Sequence, residues 1–251
     1  MPLMNWPDLM SRPSPHATER IQYGPEPSQI ADLWLPDDKD AHPVVVMIHG
    51  GCWTKSIADL SIMDWAAEDL RQRGYAVWNI EYRRLGEPGG GYPGAYDDIR
   101  AGLRLVRNRT KAPLPVVILG HSAGGHLALW AAHQPELKAR AVVALGAIAD
   151  LEADTETACG AEAPARMRGP LKETSPYQMG PLTIPTVLIT GSEDTTVPPS
   201  IAHRYADEMR RLSKAAHVEV HTPPGGHVEE IAPGTEAWKL VVQAIERAVK
   251  R

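Results

Sequence analysis

Ser122 is the centre of a GHSAG segment, residues 120–124, whose residue types and spacing suit a nucleophile. A serine on a sharp turn from strand to helix has its Oγ held clear of the backbone and exposed at the carboxyl edge of a sheet. Such a turn crowds the backbone, so the positions two before and two after the serine need to lack a Cβ atom. These positions are Gly120 and Gly124. The segment therefore predicts a serine nucleophile, and a corner with an incidental serine is the alternative.

A serine nucleophile needs a base within hydrogen-bond reach, and the base needs an acid that orients it and stabilises its charged form. His227 follows two glycines after the last predicted strand, where a sharply turning loop can bring the imidazole over Ser122. Asp194 lies in the loop 191–198, between a predicted strand and a predicted helix. The adjacent Glu193 is the rival acid, and helix capping is the alternative role for either. We predict Asp194 as the acid and His227 as the base.

The HGGCW segment, residues 49–53, offers a place for a developing negative charge on a substrate oxygen. It follows an apolar run that predicts a buried strand, and its glycines allow the backbone to approach a substrate closely. Backbone N–H groups after such a strand act together with the N–H that follows the nucleophile. We predict the N–H groups of Gly51, Cys52 and Ala123 as this oxyanion hole.

Aromatic residues near these segments are candidates for a substrate pocket. Trp53 is expected to line an apolar acyl or aryl pocket, with a place in the core as the alternative. Trp130 and Tyr177 are weaker candidates for the same pocket. His121, next to the nucleophile, is expected to point away from its own turn.

The elements that must position these residues alternate between apolar runs and amphipathic segments, which predicts an α/β fold with a mostly parallel sheet and helices on both faces. We predict one domain over residues 1–251, with a loose arm at 1–15 and a short lid-like insertion at 151–185. The predicted strands are 21–23, 30–35, 44–48, 75–82, 115–119, 141–148, 186–190 and 218–221. The predicted helices are 61–73, 95–108, 123–133, 200–212 and 235–249.

Composition limits the classes of partner. The net charge of −5 offers no electrostatic case for nucleic acid or an anionic membrane, and no apolar run reaches the ~20 residues of a membrane span. The arm lacks the features of a signal peptide, and two cysteines make no disulfide framework, so a reducing, cytoplasmic location is expected. The partner we expect is a small-molecule ester or amide, and a homodimer is left open.

No metal or cofactor is expected either. The cysteines and histidines are scattered and do not have the spacing of a metal site. Residues 89–94 match GxGxxG, but a dinucleotide site would want an acid about 20 residues later, and Pro93 removes a backbone donor that a phosphate would need. We interpret this segment as a mobile loop that borders the pocket.

Together these motifs resemble those of the α/β-hydrolase superfamily, in the group of small esterases related to hormone-sensitive lipase and to kynurenine formamidases. The resemblance covers nearly all of the chain after Glu19. It is carried by HGGCW, which has the HGGxW form, by GHSAGGH at 120–126, by the loop 191–198 and by His227. It implies Ser122 as nucleophile, His227 as general base and then acid, and Asp194 as the orienting acid.

The chain departs from this group at two places. Relatives of hormone-sensitive lipase usually carry a third glycine where this chain has Cys52, and a longer N-terminal cap where it has a short arm. The departures favour the formamidase-like and small carboxylesterase branch. We expect a serine hydrolase that cleaves small carboxylic esters through an acyl-enzyme. An aryl formamidase with the same machinery is the alternative, and a non-catalytic binder of the same fold is a third hypothesis.

Overall fold

The computed structural model describes residues 2–38, 40–110, 114–136, 138–154 and 157–250 of the chain. Eight strands of these residues pair into one sheet, in the order β1-β2-β4-β3-β5-β6-β7-β8. Pairing is antiparallel between β1 and β2 and between β2 and β4, and parallel through the rest of the sheet. The strands are β1 Glu19–Gln22, β2 Ile30–Trp34, β3 Val44–Ile48, β4 Ala76–Ile80, β5 Val116–His121, β6 Ala141–Leu145, β7 Thr186–Ile189 and β8 Val218–His221.

The register of the parallel strands β3, β5 and β6 places their carboxyl ends side by side. Ile48, at the end of β3, pairs with Gly120 near the end of β5. His121, at the end of β5, pairs with Leu145 at the end of β6. The segments that follow these strands therefore start side by side at one edge of the sheet, which is where parallel α/β sheets bind ligands.

Helices cover both faces of the sheet. Because successive side chains of a strand point to opposite faces, each central strand contributes to two separate cores. In β3, Val44, Val46 and Ile48 pack with α3, α4 and α8, whereas Val45 and Met47 pack with α1, α2 and α9. The helices are α1 Trp6–Met10, α2 Asp64–Gln72, α3 Gly94–Arg109, α4 Ala123–Ala132, α5 Glu162–Met167, α6 Leu171–Thr174, α7 Pro176–Met179, α8 Pro199–Leu212 and α9 Glu236–Lys250.

The predicted parallel sheet with helices on both faces is confirmed, and the differences lie at element ends. The strand predicted for 141–148 ends at Leu145, because Gly146 has a φ of +44° that strand geometry does not permit. The helix predicted for 61–73 begins with the 3-10 turn Leu60–Met63, where the Asp59 side chain accepts a hydrogen bond from Ser61 N–H. Among the described residues, no helix is both long and apolar enough to cross a membrane.

The first residues of the chain do not form the expected loose arm. Asn5 and Asp8 make a capping box that starts α1, and Leu9 of this helix is fully buried. The backbone N–H of Met4 donates to Glu229 Oε1 at 2.6 Å, and Arg12 donates to the carbonyl of Pro233 at 3.0 Å. These contacts hold the segment against the loop that carries His227.

The described residues of the insertion at 151–185 form three short helices. Side chains of α3 and α4 reach the backbone of this insertion and attach it to the fold. Tyr96 Oη donates to the carbonyl of Met167 at 2.8 Å, and Trp130 Nε1 donates to that of Glu173 at 2.8 Å. His126 Nε2 lies 2.8 Å from the carbonyl oxygen of Thr174. The carbonyl groups of the insertion's short helices thus find donors in the body of the fold.

Cys52 and Cys159 form a disulfide, whereas the sequence predicted a reducing location and no disulfide framework. Their Cα atoms lie 5.2 Å apart although 107 positions separate them in sequence. The bond joins the segment after β3 to the insertion, two parts of the chain that only the folded topology brings together. Sequence spacing alone could not reveal this proximity.

The first prediction concerns the stability supplied by this bond. A disulfide that closes a loop of this length restricts the unfolded chain and typically stabilises a fold by about 2–4 kcal/mol. The double variant Cys52→Ala/Cys159→Ala should lose about this free energy of unfolding in urea, relative to the oxidised wild type. Dithiothreitol should destabilise the wild type and leave the double variant unchanged. Equal stability of the oxidised wild type and the variant would contradict the prediction.

Candidate active site

Ser122 sits on a strained turn between β5 and α4. Its backbone has φ +58° and ψ −123°, a region that residues with a side chain rarely adopt. Its N–H donates to the carbonyl of Leu145 at 2.7 Å, which fixes the turn against β6. A Cβ atom at Gly120 would overlap the carbonyl of Gly124, and one at Gly124 would overlap the carbonyl of Ile48. The tight turn therefore needs both glycines, as the sequence pattern requires.

His227 and Asp194 form a buried hydrogen-bonded pair. His227 Nδ1 lies 2.7 Å from Asp194 Oδ2, and Asp194 Oδ1 accepts from the N–H groups of Thr196 at 2.7 Å and Val197 at 3.0 Å. Burial opposes ionisation of Asp194, but the hydrogen bond with His227 and the backbone donors outweigh it, so the Asp194 pKa is lowered. Glu193, the rival acid, is exposed to solvent. The structure thus pairs His227 with Asp194.

Backbone hydrogen bonds join the loops that carry Asp194 and His227. Ser192 N–H donates to the carbonyl of Pro223 at 2.8 Å, and Glu193 N–H donates to that of Gly225 at 3.0 Å. Gly225 has a φ of +128°, and a Cβ at Gly191 would overlap its carbonyl group. This close approach is what lets the acid and the base meet across two loops.

The segment after β3 turns its backbone through three successive positive φ angles, +98° at Gly51, +50° at Cys52 and +53° at Trp53. A Cβ at the preceding Gly50 would lie 2.8 Å from the Cβ of Ser122, so this segment passes directly beside the nucleophile. Within the described ranges, the N–H groups of Gly51, Cys52 and Ala123 donate to no protein oxygen. Strained backbone with free donors beside a serine is suited to stabilising an oxyanion.

His49 holds the HGGCW segment in place through its side chain, a role that the sequence did not reveal. Its ring is fully buried, stacks on Tyr82 with centroids 4.7 Å apart, and places Nε2 2.7 Å from Glu81 Oε1. Tyr82 Oη in turn donates to the carbonyl of His49 at 3.1 Å. The first residue of the HGGCW motif therefore has a structural reason for being histidine.

Ser122 and His227 open into one cavity of about 610 Å³. Its lining includes Trp6 and Met10 of α1. It also includes Ile57 and Ile62, two apolar side chains that follow the HGGCW motif. The complete lining is Trp6, Met10, Gly51, Cys52, Ile57, Ala58, Asp59, Ser61, Ile62, His121, Ser122, Ala158, Thr196 and His227.

Several residues expected near the pocket do not line this cavity. Trp53 is fully buried and packs edge-on against His126, with ring centroids 5.4 Å apart, so it belongs to the core. Trp130 and Tyr177 also lie outside the lining, as does the loop 89–94. Tyr92 of that loop instead packs edge-on against Tyr96, with centroids 5.8 Å apart.

His121, which was expected to point away from the turn, lies beside His227 in the cavity lining. The two ring centroids are 4.3 Å apart, and His121 Nε2 lies 3.0 Å from the carbonyl oxygen of His227. A carbonyl only accepts, so His121 Nε2 carries the proton. Burial, and then the charge of His227, lower the His121 pKa well below its usual 6.5. A neutral His121 thus holds the backbone of the base.

Three side chains here also come within 4.8 Å of one another, a spacing that a metal ion can bridge: His121, His227 and Glu230. Protein partners already engage their nitrogen atoms, since His121 Nε2 faces a carbonyl and His227 Nδ1 faces Asp194. We therefore interpret the group as a hydrogen-bond network.

Two family models match this chain over more than half of its 251 residues each. One, described as serine hydrolase, matches residues 102–246, which contain Ser122, Asp194 and His227. The chain belongs to the serine hydrolase family. The other model, described as BD-FAE, matches residues 31–158, which include the HGGCW segment and Ser122. The two matches overlap at the turn that carries the nucleophile.

Curated relatives of this serine hydrolase include esterases and a receptor. Carboxylesterase NlhH of Mycobacterium tuberculosis is 28% identical over 241 residues, which cover 87% of this chain and 74% of that protein. The gibberellin receptor GID1C of Arabidopsis thaliana is 35% identical over 111 residues, covering 41% of this chain and 31% of the receptor. Several of the curated relatives are matched over less than a third of their own length.

A solved structure described as Thermogutta terrifontis esterase 2 phosphonylated by sarin superposes with a TM-score of 0.73, at 20% identity and over 94% of each chain. At 20% sequence identity, the structural similarity is evidence of a shared fold. This similarity confirms the α/β-hydrolase fold that was expected for the chain.

The second prediction tests which acid supports the base. Asp194→Asn keeps the shape of the side chain but favours the wrong imidazole tautomer, so kcat should fall about 10³- to 10⁴-fold. The matched control Glu193→Gln changes the exposed neighbour and should leave kcat within about twofold of wild type. Steady-state kinetics on a p-nitrophenyl ester measure both. If Glu193→Gln lowered kcat more than Asp194→Asn does, Glu193 and not Asp194 would be the acid that supports His227.

Proposed function

We propose that the protein is a serine esterase that cleaves small carboxylic esters through an acyl-enzyme intermediate. The observation that carries the proposal is the 2.7 Å contact between Asp194 and His227, in a cavity that His227 shares with Ser122. A binding protein has no need for an acid that orients a histidine beside a strained serine.

In the proposed acylation step, Ser122 Oγ attacks the ester carbonyl while His227 Nε2 takes the serine proton. Asp194 holds His227 Nδ1–H and stabilises the imidazolium that forms. The carbon–oxygen bond to the leaving alcohol then breaks, and His227 returns the proton to the alcohol oxygen. In deacylation, water gives a proton to His227 and its oxygen attacks the acyl carbon. The bond between the acyl carbon and Ser122 Oγ then breaks, and His227 returns the proton to Oγ, which releases the acid and restores Ser122.

The N–H groups of Gly51, Cys52 and Ala123 are proposed to hold the oxyanion of both tetrahedral intermediates. Support comes from the position of this backbone beside Ser122 and from its free donors. Their geometry is set before substrate arrives, by the His49–Glu81 contact on one side and the Cys52–Cys159 bond on the other. Donors that are fixed in advance need no reorganisation as charge develops, which is the basis of their catalytic effect.

The proposed substrate is a small uncharged ester. A cavity of about 610 Å³ is in the range of small-molecule sites, and Trp6, Met10, Ile57 and Ile62 give it apolar walls. Asp59 also lines the cavity; burial opposes its ionisation, but hydrogen bonds from Ser61 outweigh this and lower the Asp59 pKa. A carboxylate at the wall disfavours anionic substrates. Residues 1–251 would act as one unit, because α1 and the last loop both contribute to this cavity.

The cellular location and the oligomeric state of the protein are still predictions. Analytical ultracentrifugation of the purified chain measures whether it forms a homodimer. The cytoplasmic location expected from the sequence conflicts with the Cys52–Cys159 disulfide, which favours an oxidising compartment. Labelling of free thiols in cells, before and after reduction, decides between the two.

The third prediction concerns the nucleophile. Ser122→Ala should lower kcat for p-nitrophenyl acetate by at least about a thousandfold and abolish labelling by a fluorophosphonate probe. The control Ser192→Ala removes an exposed serine near the acid and should keep full activity and labelling. N-formylkynurenine assayed in parallel compares the ester and formamide reactions, which use the same residues. Full activity in Ser122→Ala would refute the mechanism, and absence of labelling in the wild type would favour a binder.

The fourth prediction concerns acyl length. Across a series of p-nitrophenyl esters, kcat/KM should peak at acyl chains of about two to four carbons, because Trp6 and Met10 limit the room on one part of the cavity lining. Trp6→Ala removes this wall and should move the optimum to longer chains. A wild-type preference for long acyl chains would contradict the assigned substrate size.

A further inference from the structure

Glu230 is a fully buried carboxyl group beside the Asp194–His227 pair, and the mechanism above does not use it. It lies on the 3-10 turn Glu229–Ile231, three residues after the base. Its Oε2 is 3.7 Å from His227 Nδ1 and 3.5 Å from His121 Nε2. A side chain at the surface could avoid these contacts, but this one is enclosed by the groups that position the base.

The two oxygens of Glu230 have different surroundings. Oε1 accepts a hydrogen bond from Gly191 N–H at 2.8 Å. Oε2 accepts no hydrogen bond from the described residues. It lies on the same side of His227 as Asp194, since His227 Nδ1 is 3.7 Å from Glu230 Oε2 and 2.7 Å from Asp194 Oδ2. A Cβ atom at Gly146 would lie 2.5 Å from Oε2, so the end of β6 also closes against it. An oxygen in this position is suited to donating a proton to a neighbouring carboxylate.

Two buried carboxyl groups that face one histidine nitrogen repel each other when both are ionised, so one of them is expected to carry a proton. Asp194 accepts hydrogen bonds from His227 and from two backbone N–H groups, which stabilise an anion, and its pKa is lowered although burial opposes this. Glu230 accepts from one backbone N–H, and burial and then the Asp194 charge raise its pKa well above its usual 4.5. The proton therefore belongs on Glu230.

We propose that Glu230 is a positioning residue that donates its proton to Asp194 and accepts from Gly191 N–H, so that His227 faces one carboxylate charge and not two. The inference rests on the proposed esterase mechanism, in which His227 must be neutral to accept the serine proton. A second negative charge near His227 Nδ1 would stabilise the imidazolium and keep the base protonated at neutral pH. The titratable groups that face Glu230 are Asp194 after β7, His121 at the end of β5, and His227 and Glu229 on its own segment.

The decisive variant is Glu230→Gln. Glutamine keeps the size of the side chain, an oxygen for Gly191 N–H and an N–H donor for Asp194, so kcat should stay within about threefold of wild type. The acidic limb of the pH profile of kcat/KM, which reports ionisation of the base, should not move. If Glu230 were ionised, the same substitution would remove a charge 3.7 Å from His227 Nδ1. The acidic limb would then shift downward by about one pH unit or more, and the proposal would fail.

Glu230→Ala tests the positioning role. The alanine variant leaves Gly191 N–H without its acceptor and Asp194 without a donor, so kcat should fall about 10- to 100-fold with little change in KM. Activity equal to wild type would overturn the proposal. If Glu230→Ala does not fold, the pH profile of Glu230→Gln and the infrared measurement described next still test the proposal.

Infrared difference spectroscopy reads the proton directly and does not depend on activity. The spectrum of wild type minus Glu230→Gln at pH 8 should contain the C=O stretch of a protonated carboxyl group. The control Glu193→Gln removes an exposed acid and should instead remove a carboxylate band. Absence of the protonated band would refute the inference even in an active esterase, and its presence in a protein without esterase activity would leave only the mechanism refuted.

Discussion

The close contact of backbone with backbone at Gly124 is the constraint on which the site depends. Gly124 is the second residue of α4, and a Cβ there would overlap the carbonyl of Ile48, so the first turn of the helix lies directly against the end of β3. The HGGCW segment passes beside Ser122, whose backbone has a positive φ of +58°. A strained residue persists only where the surrounding structure over-determines it. Here the hydrogen bond from Ser122 N–H to Leu145 and the packing of buried α4 supply that restraint.

Electrostatics at the site follow a simple division between the groups that are charged and those that are not. Asp194 is surrounded by donors and is stabilised as an anion. Burial of His121 lowers its pKa by more than the hydrogen bond to the carbonyl of His227 raises it, so the ring is neutral. With Glu230 neutral as well, one charge of fixed position controls the base. A network of this kind is sensitive to the loss of any member, because an unpaired buried polar group is costly in a low-dielectric site.

The sequence predicted the parts of the fold and site that local pattern determines. Apolar runs located the central strands, and GHSAG located Ser122, because the glycine spacing is a direct consequence of the turn. Asp194 and His227 were found because loops after parallel strands share one edge of the sheet. Glu230 and His121 were missed, since the direction of a side chain on an irregular loop or at a strand end depends on tertiary packing. The Cys52–Cys159 bond was missed for the same reason, and the fit of Leu9 into the core shows why the arm is ordered.

The attachment of the first helix has a mechanical consequence. Glu229 accepts from Met4 N–H through Oε1 and from Gly226 N–H, at 3.1 Å, through Oε2, so one carboxylate bridges the amino-terminal segment and the hinge of the histidine loop. Trp6, two residues further along, forms part of the cavity wall. A ligand that pushed α1 aside would therefore also pull on Glu229, two residues after His227. A single carboxylate in this way links one part of the cavity lining to the position of the base.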